Sequence, residues 1–458
     1  MTSKETARNR SAALRSGAEL ELGFTDLLAN GQAVGRADGV VVFCFGPLPD
    51  ERARVRITDV KQKYAVAELI ELRSESPARA APFCPVFGAC GGCQLQHLEY
   101  RGQLRWKRDV VREALARIGG FAGIEVAETI GMAEPRAYRN KMALVVDHRR
   151  SPAGFGFYRQ RSHDVVPVAA CPIVTPALNA DLARLEALRD IAPVRAVLED
   201  ARHIVVRSAR ASDASVVTVT TAARSERVRH AAPTLMREMP RVAGVTNSFD
   251  LASANVILGR HQEVVAGTGE VEEALGGVRF RVSTDSFFQV NVEMLERILS
   301  YLEGRLVMPC RVVDLYCGVG TFALFFAAHG CTVHGVEENP RAVAQAAENA
   351  RANALDRLAK FFPGRAERLL GAPPLREAMR EAAAVFLDPP RKGCDEVTLG
   401  AVADARVPAI WYLSCDPATL ARDLKFLVAK GYRLDTVQPF DMFPQTGHVE
   451  ALVHLEYS

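Results

Sequence analysis

The stretch AIWYLSCDP, residues 409–417, decides the fold of the C-terminal part of this chain. Its apolar run up to Leu413 predicts a buried strand, and Asp416 with Pro417 predicts the N-cap and first residue of a helix. Cys415 then lies at a strand-to-helix turn. Because ligands of open α/β sheets bind outside the carboxyl ends of the strands, the stretch predicts a cysteine at the ligand-binding edge of such a sheet.

Two interpretations of Cys415 fit this position equally well. The predicted helix runs to Lys430 with Gly431 as its stop, and its positive N-terminal end favours a thiolate, the form of cysteine that attacks. The alternative is a small buried core residue, which is how most cysteines are used. The stretch alone leaves both interpretations open.

Length and composition predict a protein of several domains. Its 458 residues, 48% of them apolar, suffice for about three domains with cores of their own. Residues 1–17 are polar and Arg-rich, unlike a signal peptide, and no apolar run reaches the length that spans a membrane. We therefore expect a cytoplasmic protein without membrane contact, and a monomer by default.

The charge of the chain is unevenly distributed. The net charge is only +3, but residues 76–180 contain 14 Lys and Arg against 8 Asp and Glu. A localised basic region of this kind favours a polyanionic partner. An ordinary solvated basic face is the alternative.

Residues 18–75 follow a leader, residues 1–17, that we predict to be disordered. Their short β patterns are broken by Asn30-Gly31, Asp38-Gly39 and Gly46-Pro47, which indicates a small antiparallel barrel of five strands. Basic side chains on its outer face would suit RNA. They are Arg52, Arg54, Arg56, Lys61 and Lys63.

Cysteines supply a metal signal. Ten cysteines in a chain that we expect to be cytoplasmic indicate metal binding or catalysis rather than disulfides. Cys84, Cys90 and Cys93 form the spacing C-x5-C-x2-C, and Cys171 is a plausible fourth ligand. Four thiolates hold an iron–sulfur cluster or zinc, and we favour iron–sulfur because a zinc ribbon usually offers two C-x2-C pairs. The remote position of Cys171 favours a structural over a redox role.

The central part of the chain, residues 76–283, also carries an RNA signal. The stretches YRNK (138–141) and GFGFYR (154–159) interleave aromatic with basic residues, which suits unstacked bases and phosphates. A packed β core with charged rims is an equally simple interpretation.

The stretch RVVDLYCGVGTF, residues 311–322, predicts a strand, a glycine-rich turn and a helix that starts near Thr321. The next strand ends in Glu337. Glycines let a ligand approach the backbone at the helix start, and an acid at the end of the next strand accepts ribose hydroxyls. Since the same glycines satisfy the dinucleotide fingerprint, a nicotinamide enzyme is an alternative at this point.

Two further carboxylates follow at predicted strand ends. Asp388 opens the loop DPPRKG (388–393), whose prolines hold it beside the ligand site, although an exposed polar turn is the alternative. Glu450 lies near the start of the last of two predicted edge strands, on the same sheet edge as Cys415. It is a candidate general base, whereas such a carboxylate is usually just solvated.

Four ordered motifs together resemble those of the S-adenosylmethionine-dependent RNA uracil-5-methyltransferases: DLYCGVG (314–320), LDPPR (387–391), SCDP (414–417) and PQTGHVE (444–450). The N-terminal barrel resembles a TRAM domain, and the cysteine pattern resembles the [4Fe-4S] site of the 23S ribosomal RNA branch. The resemblance implies a multidomain α/β protein. After the leader 1–17 come the OB-like TRAM β-barrel (18–75), a central α+β domain with the iron–sulfur site (76–283) and a Rossmann-like class I methyltransferase domain (284–458).

The resemblance also implies roles for individual residues. Cys415 would be the nucleophile, and Glu450 the base that takes the C5 proton. Donor contacts would come from Gln289, Tyr316, Thr321, Glu337 and Asp388, and cluster ligation from Cys84, Cys90, Cys93 and Cys171. Thr321 stands where relatives often have Asn, and residues 361–366 lack the acid or amide that commonly contacts the adenine. The implied substrate is 23S ribosomal RNA, with transfer RNA as the alternative; the target uridine and the number of target sites stay open.

Two rival functions each fit part of the sequence. An iron–sulfur Rossmann oxidoreductase would show a flavin or nicotinamide signature beyond the glycines, and it leaves Cys415 and Glu450 unexplained. A non-enzymatic RNA-binding protein on this scaffold would have lost its catalytic residues, yet Cys415 and Glu450 are both present. The sequence therefore favours the methyltransferase.

Overall fold

The computed structural model describes residues 14–253 and 256–458, which form two compact units. The smaller unit comprises the chain up to Trp106 with Arg159–Ser162 and Gln445–His448. The larger unit comprises Lys107–Tyr158, His163–Pro444 and Val449–Ser458. The predicted boundaries at residues 18, 76 and 284 divide the chain differently and stay predictions.

The smaller unit contains a closed barrel of five strands, as predicted, but β3 and β5 pair in parallel, so the barrel is not antiparallel throughout. Its strands are β1 (Glu19–Leu27), β2 (Gln32–Ala37), β3 (Val40–Phe45), β4 (Arg52–Val60) and β5 (Tyr64–Ser74), and they close in the order β1-β2-β3-β5-β4. Since side chains alternate along a strand, Val42 and Cys44 point into the core and are fully buried. Of the predicted leader, residues 1–13 lie outside the described residues, whereas Leu14 packs into the barrel core and is only 5% exposed.

The outer face of β1, β4 and β5 differs from the sequence-based expectation. Arg54 lies between Glu19 and Glu71, with N–O distances of 3.2 and 3.4 Å, and Arg56 lies between Glu19 and Glu68, at 3.0 and 2.8 Å. We call these five residues the ion-paired face. Arg52 and Lys61, also expected to face RNA, pair with Glu21 and Asp59. The acids neutralise the charge that this face was predicted to offer to RNA.

The larger unit contains two seven-stranded sheets. The strands of the first are β6 (Lys141–Asp147), β7 (Gly154–Tyr158), β8 (Val165–Pro167), β9 (Ala201–Ala209), β10 (Ala214–Thr221), β11 (Val242–Phe249) and β12 (His261–Gly267), in the order β12-β11-β10-β9-β6-β7-β8. The helices in this part of the chain are α1 (Tyr100–Ala114), extended by a π-helical turn (Leu115–Gly119), α2 (Pro176–Leu188), α3 (Ala192–Asp200) and α4 (Glu226–Glu238). A hairpin of β13 (Glu270–Leu275) and β14 (Val278–Ser283) follows.

The second sheet has the predicted Rossmann-like character. Its strands are β15 (Arg311–Leu315), β16 (Thr332–Glu337), β17 (Ala359–Pro363), β18 (Ala384–Leu387), β19 (Ala409–Ser414), β20 (Tyr432–Phe440) and β21 (Glu450–Tyr457). The helices are α5 (Val292–Glu303), α6 (Thr321–Ala328), α7 (Pro340–Ala352), α8 (Ala366–Leu369), α9 (Pro373–Glu381), α10 (Glu396–Asp404) and α11 (Pro417–Ala429). The strands from β15 to β19 are parallel and buried, so their carboxyl ends meet at one edge.

The position of β21 corrects the expectation of two edge strands at the C-terminus. The sheet order is β17-β16-β15-β18-β19-β21-β20, so only β20 lies at the edge. β21 is inserted between β19 and β20 and runs antiparallel to both. Its fully buried apolar residues, such as Ala451, Leu452 and Val453, explain this central position, because an edge strand would expose one side to water.

Across the described part of the chain, no helix is both long enough and apolar enough to cross a membrane. The cytoplasmic location and the monomeric state stay predictions.

Candidate active site

Five of the residues singled out in the sequence lie at one edge of the second sheet. Tyr316, Asp388 and Cys415 directly follow β15, β18 and β19, Glu337 ends β16, and Glu450 opens β21. The sheet topology therefore gathers them from segments more than 130 residues apart in the chain.

Strand pairing sets Cys415 against Glu450. Ser414 of β19 is paired with Ala451 of β21, so the antiparallel register continues to Cys415 opposite Glu450. Asp416 caps α11 as predicted, since its carboxylate accepts the N–H groups of Ala418 and Thr419 at 3.0 and 2.9 Å. The turn thus holds a half-buried thiol between the helix start and a carboxylate that is only 4% exposed.

The surroundings of Cys415 favour its protonated form. Burial, and then the charges of Glu450 and Asp388, raise the pKa of Cys415 to about 11, whereas Arg391 lowers it. The thiol is therefore protonated at neutral pH in the ligand-free protein. The helix start was visible in the sequence, but the two carboxylates that outweigh it come from distant segments.

Burial and Asp388 together raise the pKa of Glu450 at this edge well above its ordinary value, while Arg391 and Lys107 lower it. Burial raises the pKa of Asp388 to about 7. A pocket in which one carboxylate opposes the ionisation of another favours a cationic ligand, because a positive charge relieves that repulsion.

Asp314 belongs to the same group, and sequence reasoning gave it no role. Its side chain is fully buried, and neither carboxylate oxygen has a hydrogen-bond partner among the described residues. Burial and the charge of Asp388 raise its pKa, as does Glu337 more weakly. The signal for it was present: an acid inside an apolar strand, directly before the glycine-rich turn.

The glycine-rich turn leaves room for a ligand. Tyr316 adopts the left-handed conformation with φ of 70°, a strained geometry that turns the backbone out of β15. Gly318 has φ of 55°, and the position of its missing Cβ has no heavy atom within 4 Å. Any side chain here would be strained and would fill the space through which a ligand reaches the N-terminus of α6 at Thr321.

Glu337 and Gln289 flank this space. The Glu337 carboxylate accepts the N–H groups of Gly318 and Asn339, at 3.2 and 2.8 Å, which fixes its orientation beside the turn. Gln289 is buried and forms no hydrogen bond to any described residue. The next turn begins at Asn291, whose side chain caps α5 and donates to the Met442 carbonyl at 3.0 Å. The side-chain amide oxygen and nitrogen of Gln289 are therefore available to a ligand.

The sequence did not predict a buried ion pair between Lys107 and Asp441, whose lysine acts on the charge of Glu450. Lys107 is fully buried, donates a hydrogen bond to Asp441, and also donates to the Phe443 carbonyl at 3.1 Å. The spacing of Lys107 by four and eight residues from Val111 and Leu115, both fully buried, was the signal that it lies on the inner face of the helix.

Comparison with known proteins gives the family. A family model described as tRNA (uracil-5-)-methyltransferase matches residues 252–458, and the TRAM domain model matches residues 14–70. A Bacillus cereus protein described as an uncharacterized RNA methyltransferase is 35% identical over 447 residues, 95% of this chain and 96% of its own. A Geobacter sulfurreducens protein of the same description is 38% identical over 95% of this chain and 89% of its own.

One solved structure is similar over nearly the whole chain. It is the Pyrococcus abyssi tRNA (uracil-54, C5)-methyltransferase in complex with S-adenosyl-L-homocysteine, 26% identical, with a TM-score of 0.75 over 95% of this chain and 99% of that one. The fold and site thus define a Rossmann-like methyltransferase with a TRAM barrel. The chain belongs to the tRNA (uracil-5-)-methyltransferase family and is an S-adenosylmethionine-dependent RNA (uracil-5-)-methyltransferase. The oxidoreductase and the purely RNA-binding alternatives are thereby set aside.

The first prediction concerns the thiol. Glu450→Gln should lower the pKa of Cys415, because the charge of Glu450 is one cause of its rise. The measurement is the rate of Cys415 alkylation by iodoacetamide against pH, followed by peptide mass spectrometry. Glu456→Gln, an exposed position on the same strand, is the matched control and should leave the profile unchanged. An identical profile in Glu450→Gln would show that the two groups do not interact.

The second prediction concerns the buried ion pair. Lys107→Met should cost about 3–5 kcal/mol of unfolding free energy, because it leaves Asp441 charged and unpaired in the interior. The double variant Lys107→Met/Asp441→Leu should recover much of this loss. Arg105→Met on the same helix removes an exposed pair with Glu99 and should cost about 1 kcal/mol or less. Urea unfolding measures all three, and equal costs for the two single variants would refute the buried pair.

Proposed function

We propose that this protein forms 5-methyluridine in 23S ribosomal RNA through a covalent intermediate on Cys415, with Glu450 as the base. One observation carries the proposal: the β19–β21 register sets the half-buried Cys415 thiol opposite the buried carboxylate of Glu450. Residue types and spacing match what addition and elimination at a pyrimidine ring require.

The first step needs the cysteine. Carbon 5 of uracil is a poor nucleophile, and addition of the Cys415 sulfur to C6 converts it into an enolate carbon that attacks the donor methyl group. Because the Cys415 thiol is protonated in the ligand-free protein, its proton must pass to a base during the attack. We assign this proton to Asp388, one of the two carboxylates whose charges act on the thiol, so that Glu450 is left to take the C5 proton. The thiolate released at the end of the reaction takes a proton back from Asp388. The uridine must also leave its stack to reach this edge.

The second step needs the carboxylate. After transfer, C5 carries both the new methyl group and its original hydrogen. Glu450 removes that hydrogen as a proton, the C6–S bond breaks, and the Cys415 thiolate leaves with its bonding electrons. A raised pKa makes Glu450 a stronger base, while Arg391 and Lys107 limit the rise.

The donor pocket is assigned to the glycine-rich turn. S-adenosylmethionine carries a positive sulfonium, which suits the group of buried acids, and supplies the methyl group. We assign Glu337 to the ribose hydroxyls, Asp388 and Gln289 to the donor near its reacting end, and Tyr316 and Thr321 to the turn that surrounds it. Residues 361–366 offer backbone groups to the adenine.

The third prediction tests the covalent route. Cys415→Ala should abolish transfer of a tritiated methyl group to RNA while leaving RNA affinity nearly intact, and Cys310→Ser, at the opposite end of β15, should retain transfer. Glu450→Gln should accumulate a protein–RNA adduct on a denaturing gel, because elimination needs the lost proton acceptor. Turnover by Cys415→Ala would exclude the mechanism.

The fourth prediction concerns the substrate. The barrel together with the cysteine pattern supports 23S ribosomal RNA, whereas the similar solved structure is of a transfer RNA enzyme. We expect that ribosomal RNA from cells lacking this protein loses 5-methyluridine, at one or two positions, and that transfer RNA keeps it. Mapping by mass spectrometry of nuclease fragments decides the matter, and loss confined to transfer RNA would overturn the assignment.

We also propose a [4Fe-4S] cluster on the cysteines of the smaller unit. Cys84, Cys90 and Cys93 are all half-exposed, and the chain between them turns at Gly88, with φ of 82°. The N–H group of Gly92 points at the Cys90 sulfur at 3.4 Å, a contact typical of cluster-binding loops. The donor set therefore fits the group. Cys171 as the fourth ligand stays a prediction from the sequence.

The fifth prediction tests the metal. Protein purified without oxygen should contain iron and inorganic sulfide, and Cys90→Ser should lose most of both. Cys44→Ser, a fully buried barrel residue, is the matched control and should retain them. Stoichiometric zinc in place of iron would contradict the cluster. Retained methyl transfer by the iron-free protein would show that the cluster is structural.

A further inference from the structure

The barrel has a second outer face, formed by β2, β3 and β5, that differs from the ion-paired face. Strand register places Arg36, Val41 and Tyr64 side by side, and Phe43 lies in the next outward row between Val34 and Val66. The Phe43 and Tyr64 rings meet edge to face at 5.4 Å, and Tyr64 is 38% exposed. Because Val42 and Cys44 fill the core, these rings are turned outward and are not needed for barrel packing.

One arginine lies at each end of this row of rings. Arg161, which belongs to the smaller unit, lies over the Phe45 ring at 5.1 Å and donates a hydrogen bond to Gln32 at 2.7 Å. Arg36 is exposed at the other end. We call the set Arg36, Phe43, Phe45, Tyr64 and Arg161 the aromatic strip.

The charge of the aromatic strip is not neutralised. Neither Arg36 nor Arg161 forms an ion pair with any described residue, in contrast to Arg54 and Arg56, which each have two acids. Lys63, exposed directly before Tyr64, is likewise without an ion pair to a described residue. The face therefore combines exposed ring surfaces with uncompensated positive charge.

We propose that the aromatic strip binds unpaired nucleotides of the RNA substrate, with bases stacked on its rings and phosphates held by its arginines. The inference depends on the proposed function only for the identity of the RNA. Stacking on aromatic side chains beside cations is how sheet surfaces hold single strands. Charge complementarity favours this occupant over a protein, since an apolar protein surface would leave Arg36 and Arg161 without partners.

The test uses the full chain carrying Cys415→Ala, so that binding is measured without catalysis and its result does not depend on the covalent mechanism. The probe is a labelled single-stranded oligouridylate of about twelve nucleotides, a length within the usual site size. Tyr64→Leu keeps apolar bulk but removes the ring face, and we expect it to weaken binding about tenfold. Tyr64→Phe should bind like the parent protein. Since both variants are apolar and similar in size, loss in one alone is not a folding defect.

Salt dependence separates stacking from charge. Arg36→Ala and Arg161→Ala should each reduce the slope of log affinity against log salt by about one, whereas Tyr64→Leu should leave the slope unchanged. The control Arg54→Ala/Glu71→Ala removes one cation and one acid from the ion-paired face and should change neither affinity nor slope.

Two results would overturn the inference. One is parental affinity in Tyr64→Leu and in Arg36→Ala. The other is an equal loss in Tyr64→Leu and in the Arg54→Ala/Glu71→Ala control, which would place the nucleotides elsewhere on the barrel. Loss of RNA binding with intact methyl transfer on a free uridine analogue would support the strip, because the chemistry lies in the larger unit.

Discussion

The insertion of β21 between β19 and β20 is the constraint on which the site depends. Five parallel strands bring Tyr316, Glu337, Asp388 and Cys415 to one edge, but none of them lies opposite Cys415 across a strand pair. The antiparallel β21 adds Glu450 at that place, one position beyond the pair Ser414–Ala451. A register shift of one residue would turn Glu450 to the other face of the sheet. Backbone hydrogen bonds along β21 thus hold Cys415 and Glu450, the proposed nucleophile and base, together.

That arrangement has an electrostatic cost. Asp388 raises the pKa of both Asp314 and Glu450, and burial together with the charges of Glu450 and Asp388 keeps the Cys415 thiol protonated. Lys107 and Arg391 offset part of the repulsion around Glu450. The repulsion destabilises the ionised carboxylates in the ligand-free protein, and the positive charge of a donor relieves it. In the proposed mechanism, the two acids that disfavour the thiolate, Asp388 and Glu450, are also the groups that take protons.

Much of the fold was predictable because local signals were strong. The apolar run up to Leu413, the cap at Asp416 and the stop at Gly431 together marked β19 and α11, and the structure confirms all three. The barrel was predicted from turn residues, although β2 (Gln32–Ala37) carries a Gly and an Arg and has little strand character of its own. The position of β21 was not predictable, because the pairing of strands distant in sequence leaves no local pattern.

Charges were harder to predict than strands. Arg54 suggested RNA contacts, yet it meets acids on neighbouring strands, and Lys107 is buried against Asp441, more than 300 residues away. The carboxylates that act on the Cys415 thiol likewise come from segments distant in sequence. The charges around a side chain are set by its tertiary neighbours, whereas helix starts and strand ends are determined by consecutive residues.

The covalent role of Cys415 is tested most directly with RNA in which 5-fluorouridine replaces uridine, incubated with the protein and S-adenosylmethionine. Fluorine at C5 cannot leave as a proton, so the base has nothing to remove and the sulfur cannot be eliminated. Mass spectrometry of the digested complex should find the peptide that contains Cys415 joined to a pyrimidine bearing both fluorine and the transferred methyl group. An adduct on a different cysteine, or methylated RNA released with no adduct at all, would contradict the account.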